Sequence, residues 1–383
     1  MGAGNEHPRV AGEVLSGGPG IVEFLAEEWR QLCDASDHPL PFNRPEWVGA
    51  YFRSNDKARR FFLLTVRIDG KLKAVLPLID RKRWISRMPA NVLRGPSDFD
   101  LWPSDILVAD ESVRPTAARE LWRLVRGLKG WDVIELPNIP QGGAAEEFLR
   151  AATEDGFPSH RWEYMQSPCI RLEDRAGMQD TSDIALSASL RRNIRGALRK
   201  VEKEGGIQVR SSDRFDSFLL QRLYELEASG WKGEQGNAIL LREKDRRFHD
   251  DIAIAAQNSG YLSLHALEMK GQVVAVSMGF NYKKIFFGMK MGWDQGLKSF
   301  SLGHLLINAI LKDCLRNSVT EFHMMGLKSD WKTQWTKNTL PYSTCYVFHK
   351  GIYGKVVKSA IRKSISYQVQ TISSHEGHIQ DIP

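Results

Sequence analysis

The chain has no Cys-x-x-Cys pair. Its four cysteines, Cys33, Cys169, Cys314 and Cys345, stand far apart, so their spacing indicates neither a structural zinc site nor a disulfide framework. Reduced thiols and no metal are the expectation. No uninterrupted apolar run is long enough to cross a bilayer, and the opening stretch MGAGNEHPRVAGEVLSGGPG has no apolar centre of the kind a signal peptide needs. Residues 1–20 therefore read as a flexible lead to a cytoplasmic protein. Glu6, where a hydroxyl residue would be needed, argues against myristoylation at Gly2.

What is present fills more than one domain. At 383 residues the chain exceeds the roughly 100 to 200 residues of one ordinary domain, and a hydrophobic fraction of 42% can fill two cores. The formal charge of +7 suits an anionic partner: a phosphorylated cofactor, RNA or an acidic membrane surface.

Residues 61–80, FFLLTVRIDGKLKAVLPLID, are two apolar strand-like runs around Asp69-Gly70, a hairpin signature. Residues 261–282 repeat that pattern around Lys270-Gly271. Each hairpin is followed by a helical period and a short apolar strand: ARELWRLVRGLKG then WDVIELPN, and HLLINAILKDCLRNS then VTEFHMMG. The order helix, helix, strand meander, helix, strand predicts an α/β fold with a mixed sheet, in which strands run parallel only where a helix intervenes. It is written twice. The expected domains are 21–172 and 187–349, joined by a polar linker and followed by a basic tail, 350–383.

The halves differ in one place. The second has GLKSFSLGHLL opening its helix, small and polar residues, whereas the first has RGPSDFDLWPSD, whose Pro and Asp content suits a turn. Backbone N–H groups at a helix start have no intrahelical acceptor and carry partial positive charge, so small residues there let a phosphate reach the backbone. Lys298, Ser299, Ser301, Gly303 and His304 are the candidates, against the plainer reading of a Ser cap on a core helix. The second half is thus expected to do the chemistry.

The stretches LEASGWKGEQGNAI, GQVVAVSMGF, KMGWDQGLKSFSLGHLL and SDWKTQWTKN resemble bacterial acetyltransferases of the GNAT superfamily of the CelD-like or BioF2-like type, similar in turn to the Fem aminoacyl ligases. The resemblance covers roughly residues 42–338. It implies two tandem GNAT-like units, the first degenerate, and acyl transfer from acetyl-CoA or another acyl-CoA to an amine or hydroxyl of a small-molecule or glycan acceptor, with envelope polysaccharide synthesis as the family's setting. The family's Lys, aromatic, Asp run falls on Lys290, Trp293 and Asp294. Its Ser-Pro-Gly helix start falls on Ser301, Leu302 and Gly303, with Leu in place of Pro, and its Tyr-Lys pair on Trp331-Lys332.

Acyl transfer needs a hydrogen-bond donor at the thioester carbonyl, where negative charge develops. A bulge or splay in the strand IFFGMKMGWD, between Met289, Lys290 and Met291, would free a backbone N–H for that role. An ammonium acceptor must lose a proton, which calls for a carboxylate or histidine. Asp294 adjoins the phosphate loop, and Glu321 and His323 alternate on one strand face; Glu225 and Glu227 precede the loop GWKG. Trp231, Lys232, Trp293, Lys332 and Trp335 are candidates for contact with the acceptor. No Ser/His or Cys/His constellation stands near the loop, which fits direct attack without a covalent enzyme intermediate.

Two basic amphipathic stretches remain. SLRRNIRGALRKVEKEGG places Leu190, Ile194, Ala197, Leu198 and Val201 on one face and Arg191, Arg192, Arg195, Arg199 and Lys203 opposite. KGIYGKVVKSAIRKSISYQVQ lies near the C-terminus. Either suits peripheral membrane association, and the first suits tRNA in an alternative Fem-like, aminoacyl-tRNA-dependent reading. A non-catalytic membrane- or glycan-binding module is the rival of another class.

Overall fold

A computed structural model of the chain describes residues 8–37, 40–55, 58–85, 87–97, 102–173 and 186–375; the side chains of Trp231 and of residues 364–375 lie outside the described residues, as do residues 174–185 of the linker expected between about 172 and 189. The chain forms two compact units. One runs to Met165 and resumes at Pro341; the other spans Gln166 to Leu340.

The first unit begins with β1 (Val10–Gly17), α1 (Ala26–Ala35), α2 (Pro45–Ser54), β2 (Arg60–Ile68), β3 (Lys71–Ile85), β4 (Met88–Arg94) and β5 (Leu107–Val108). It continues with α3 (Arg114–Gly127), β6 (Val133–Pro140), α4 (Ala144–Glu154) and the start of β7 (Ser159–Arg171). Asp69 and Gly70 both take positive φ, 51° and 78°, the conformation a two-residue hairpin turn requires. After α3 the chain returns as β6, parallel to β4 through Val92–Val133. The stretch expected to be a flexible lead is ordered at Val10–Gly17: β1 pairs antiparallel with β2 along its whole length. Its alternating apolar residues are too few to stand out from the flanking glycines.

The second unit holds α5 (Ala188–Lys203), β8 (Gln208–Ser212), α6 (Ser217–Ala228), α7 (Trp231–Glu234), α8 (Glu243–Asn258), β9 (Leu262–Met269), β10 (Gln272–Tyr282) and β11 (Ile285–Trp293). It closes with α9 (Leu302–Arg316), β12 (Glu321–His323) and α10 (Asp330–Thr333). Its hairpin turn, Lys270-Gly271, repeats the positive φ pair, 51° and 76°. β12 runs parallel to β11, again across a helix. The core beneath α5 and α9 joins Leu190, Ile194 and Val201 to Leu305, Leu306, Phe286 and Phe322. The helix expected over SLRRNIRGALRKVEKEGG forms, capped by the Ser187 hydroxyl accepting from Leu190 N at 3.2 Å. Leu198, expected in its apolar stripe, is exposed.

The chain then returns to the first unit as β13 (Thr339–Phe348) and α11 (Ile352–His375). The unit boundaries thus fall at 165/166 and 340/341, where the sequence suggested 172/187 and 349/350. The difference has a cause: the end of β7 pairs with β12, Cys169 opposite His323, and β13 pairs with β6, Tyr346 opposite Glu135. Each of these strand segments is bound by a ladder within a unit other than that of the chain just before it. Two α/β units with mixed sheets and one repeated strand-helix-strand plan make up the fold. Among the described residues no helix is long and apolar enough to cross a membrane.

Candidate functional site

The second unit's plan positions the site. β11 and β12 pair only at Ile285–Glu321, Phe286–Phe322 and Phe287–His323; β11 then continues to Trp293 while β12 stops. On its other edge β11 pairs with β10, but the register shifts: Gly279 lies opposite Gly288 and Met278 opposite Lys290, so Met289 is the extra residue of a bulge. A bulge bends the strand and turns a peptide group out of the ladder. Past Phe287, β11 runs on without β12 as a ladder partner, with the bulge at Met289 two residues further along.

At the end of β11 the chain turns through Asp294, whose carboxylate accepts from Gly296 N at 2.8 Å. Asp294 is therefore engaged in its own turn. Ser301 takes the left-handed conformation, φ 53°, and its side chain does not cap α9. The first N–H groups of α9, those of Leu302, Gly303 and His304, are the ones a helix start leaves without intrahelical acceptors. Lys200 from α5 donates to the Ser299 carbonyl at 3.2 Å, which sets an ammonium group beside this helix start; Lys298 is exposed nearby in sequence. Gly303 faces the Trp293 ring, and a Cβ there would meet it at an ordinary 3.6 Å. The His304 ring lies 5.7 Å from that of Trp335, which is 2% exposed. Neither His304 Nδ1 nor Trp335 Nε1 has a hydrogen-bond partner among the described residues. Burial holds His304 below its ordinary value and so favours the neutral ring.

Glu321 and His323 share one face of β12. Their side chains meet, His323 Nε2 lying 2.6 Å from Glu321 Oε2, and the Cys169 thiol donates to the same oxygen at 3.6 Å. The three ligand-type atoms stand within 4.8 Å of one another. They satisfy each other as a hydrogen-bonded cluster around one carboxylate oxygen. The Glu321 carboxyl is held below the ordinary carboxylate value, first by the His323 hydrogen bond, while burial pushes the Cys169 thiol far up, so that it stays protonated. His323 Nδ1 is buried without a partner among the described residues.

A second cluster joins α6, α7 and β11. Glu227, 6% exposed, accepts from Lys232 Nζ at 2.5 Å and Ile239 N at 3.0 Å, with Lys290 Nζ 3.9 Å away. Burial opposes its ionisation, but Lys290 and then Lys232 outweigh it and the carboxyl stays below its ordinary value. Lys332, on α10, donates to the carbonyls of Met325 and Leu327. Burial, with Lys232 adding repulsion, lowers its ammonium to about 8.

Of the residues singled out in the sequence, the structure gathers Gly303, His304, Trp293 and Trp335 at the start of α9, Glu321 and His323 on β12, and Lys232 and Lys290 at Glu227. Met291 packs on the core beneath α9. The backbone of Trp231 opens α7, but its side chain lies outside the described residues. Cys169 entered the sequence reading only as a thiol. No local signal joins it to residues some 150 positions away; strand pairing does.

The first unit offers a contrast at the matching helix. The start of α3 is covered by Asp110, whose carboxylate accepts from Ser112 N at 3.0 Å and Val113 N at 3.3 Å. A resident negative charge there opposes a phosphate.

Residues 188–333, within the second unit, match the family model described as the acetyltransferase (GNAT) domain. Solved structures share the fold across nearly the whole chain. FemX matches with a TM-score of 0.58 at 11% identity over 90% of this chain and 100% of that one. The C-terminal domain of a putative lysylphosphatidylglycerol synthetase from Agrobacterium fabrum matches with a TM-score of 0.52 at 11% identity, covering 89% and 96%. A conserved protein of unknown function from Bacteroides thetaiotaomicron matches with a TM-score of 0.51 at 12% identity, covering 85% and 97%. No curated protein matches significantly in sequence.

Proposed function

We propose that the second unit is an acyl-CoA-dependent N- or O-acyltransferase, with acetyl-CoA or a longer acyl-CoA as co-substrate and a small molecule or glycan as acceptor, and that the first unit is its degenerate copy. The observation that carries the reading is the end of β11–β12 pairing at Phe287 and His323, beside the Met289 bulge and a start of α9 without a side-chain cap.

The residues present fit a pyrophosphate-bearing thioester. Helix N–H groups from Leu302 to His304 and the ammonium of Lys200 favour an anion, and Trp335 Nε1 and His304 Nδ1 have no partner among the described residues to give up. In the proposed chemistry a backbone N–H near Met289 to Met291 stabilises the negative charge that develops on the carbonyl oxygen. As the acceptor's N–C or O–C bond forms, the thioester C–S bond breaks and the coenzyme A thiolate leaves, and His323, held by Glu321, takes the acceptor's proton at Nδ1. The Fem-like alternative keeps this site and changes the donor to an aminoacyl-tRNA; the exposed arginines of α5 favour it.

Calorimetric titration with acetyl-CoA and desulfo-CoA, on the wild type and on Gly303→Trp and Lys200→Glu, tests the proposal. Binding of both ligands, weakened in both variants, is expected. Absence of binding at millimolar ligand, with tRNA binding that high salt abolishes, would transfer the case to the ligase reading.

A further inference from the structure

Cys169 and His323 stand directly opposite each other in the β7–β12 ladder, and Glu321 lies two residues before His323 on β12. Residues opposite one another in an antiparallel pair, and residues two apart along a strand, share one face of the sheet. Ile170 and Phe322, the residues between them, belong to the core on the other face, beneath α9. The fold thus brings a thiol, a carboxylate and an imidazole together, although Cys169 and Glu321 are 152 positions apart in the chain. Among the described residues this is the one group of His, Cys, Asp or Glu side chains whose donor atoms could gather about a single ion.

The donors fit zinc in kind and in spacing. Thiolate sulfur binds Zn²⁺ at about 2.3 Å and imidazole nitrogen or carboxylate oxygen at about 2.1 Å, so a tetrahedral ion holds its donors roughly 3.3 to 3.6 Å apart. Cys169 Sγ already stands 3.6 Å from Glu321 Oε2. His323 Nε2, 2.6 Å from that oxygen, has to draw back by roughly 0.7 Å, and the sulfur and the ring, within 4.8 Å of each other, have to close by no more than about 1.2 Å. Rotations of the side chains cover such distances. Cys169 at 1% exposure and the His323 side chain at 8% are held by packing, with the Phe287 ring 4.9 Å from that of His323. The Glu321 side chain, 22% exposed, marks the side from which an ion and a water can enter.

We propose that Cys169, Glu321 and His323 form a binding site for Zn²⁺, with water as the fourth ligand. A thiolate and a carboxylate together cancel the charge of the ion, whereas Mg²⁺ and Ca²⁺ take oxygen donors and gain nothing from a sulfur and a ring nitrogen. As the Zn–S bond forms, the Cys169 thiol proton leaves to solvent. As the His323 Nε2 lone pair turns to the ion, the proton of the neutral ring passes through solvent to Nδ1. A protonated Nδ1 cannot take a proton from an acceptor, so the bound ion shuts off the proposed base. That consequence rests on the acyl-transfer reading; the site itself does not.

The full chain, cleared of metal with a chelator and kept reduced, is to be titrated with Co²⁺ and then with Zn²⁺. One equivalent of Co²⁺ is expected to bind, giving the near-ultraviolet absorption of a cobalt–thiolate bond and the intense visible bands of four-coordinate cobalt, and Zn²⁺ is expected to abolish both. Cys169→Ser is expected to lose the thiolate band, and Cys33→Ser, which removes a thiol of the first unit, to keep it. Glu321→Gln and His323→Ala are each expected to weaken binding at least about tenfold. Glu321→Gln changes a partly exposed side chain without changing its shape, and so carries the test should circular dichroism show that Cys169→Ser does not fold. A wild type without the thiolate band, or metal binding that Glu321→Gln and a folded Cys169→Ser leave unchanged, would overturn the site. Zn²⁺ is also expected to suppress acyl transfer, and chelation to restore it. Undiminished transfer by the zinc-loaded protein would instead remove His323 as the base, with the metal site intact.

Discussion

His323 Nε2 lies 2.6 Å from Glu321 Oε2, and that contact decides which ring nitrogen is available. A carboxylate favours a proton on the nitrogen it faces, which leaves Nδ1 as the nitrogen for the proposed base. Replacing His323 by Ala is expected to lower kcat/KM for acyl transfer about 10²- to 10⁴-fold. Binding of acetyl-CoA, read by calorimetry, is expected to change little. An active His323→Ala variant would remove His323 from the mechanism and leave the acyl-CoA site standing.

The same pair sets an acid limb of stability. Glu321 sits below its ordinary value of 4.5, so its contribution is present above that value and is lost as pH falls through the lower folded value. Melting temperatures measured from pH 6 downward are expected to fall more steeply for the wild type than for Glu321→Gln. Parallel curves would show that the contact contributes nothing to folding.

Much of this architecture is legible in the sequence, for reasons tied to particular residues. Asp69-Gly70 and Lys270-Gly271 announce their hairpins because few pairs other than X-Gly accept two positive φ values in succession. The stripe Leu190, Ile194, Ala197, Val201 announces α5 because its period is helical. The site is less legible because its pieces are joined by pairing at long range. Glu227 is one of two acids on α6 until the fold sets it 3.9 Å from Lys290 and 2.5 Å from Lys232. Asp294, placed beside the phosphate loop by its position in the chain, proves to hold the turn at Gly296. The Met289 bulge exists only as a relation between two strands.

Glu227 yields a prediction about stability. Its side chain is 4% exposed and that of Lys290 is 8% exposed, so removing the carboxylate takes an opposite charge away from a buried ammonium. Glu227→Ala is expected to cost about 3 to 5 kcal/mol in urea unfolding. Glu227→Ala combined with Lys290→Met should cost clearly less than the two single losses added together, because the stranded charge is gone. Additive effects would mean that the two side chains are uncoupled.

Two glycines of the site are expected to behave oppositely. A Cβ on Gly292 would stand 2.8 Å from Glu227 N and 3.0 Å from the Leu223 carbonyl, both backbone atoms of α6. Gly292→Ala must push α6 off β11 and is expected to cost about 1 to 3 kcal/mol. At Gly303 the nearest atoms are ring carbons of Trp293 at 3.6 and 3.7 Å, ordinary contact, in the first turn of a helix. Gly303→Ala is therefore expected to be neutral or stabilising by up to about 1 kcal/mol. Thermal unfolding of the two variants distinguishes them, and equal destabilisation would contradict the difference in packing.

Lys332 gives a signal at the other end of the pH scale. Its ammonium is lowered from 10.5 to about 8 by burial, with Lys232 adding to the effect. Below about 8 the lysine is charged in both folded and unfolded chains, and its desolvation weighs fully against the fold. Between about 8 and 10.5 the unfolded chain keeps a proton that the folded one has released, so this group's contribution to stability rises with pH across that interval. Other groups titrate there too, which makes the comparison with Lys332→Met the decisive one. The urea midpoint of the wild type, taken relative to that of Lys332→Met, is expected to rise between pH 8 and pH 10. A difference that stays constant with pH would mean that Lys332 keeps its ordinary basicity, and that its bonds to the Met325 and Leu327 carbonyls hold a charged group.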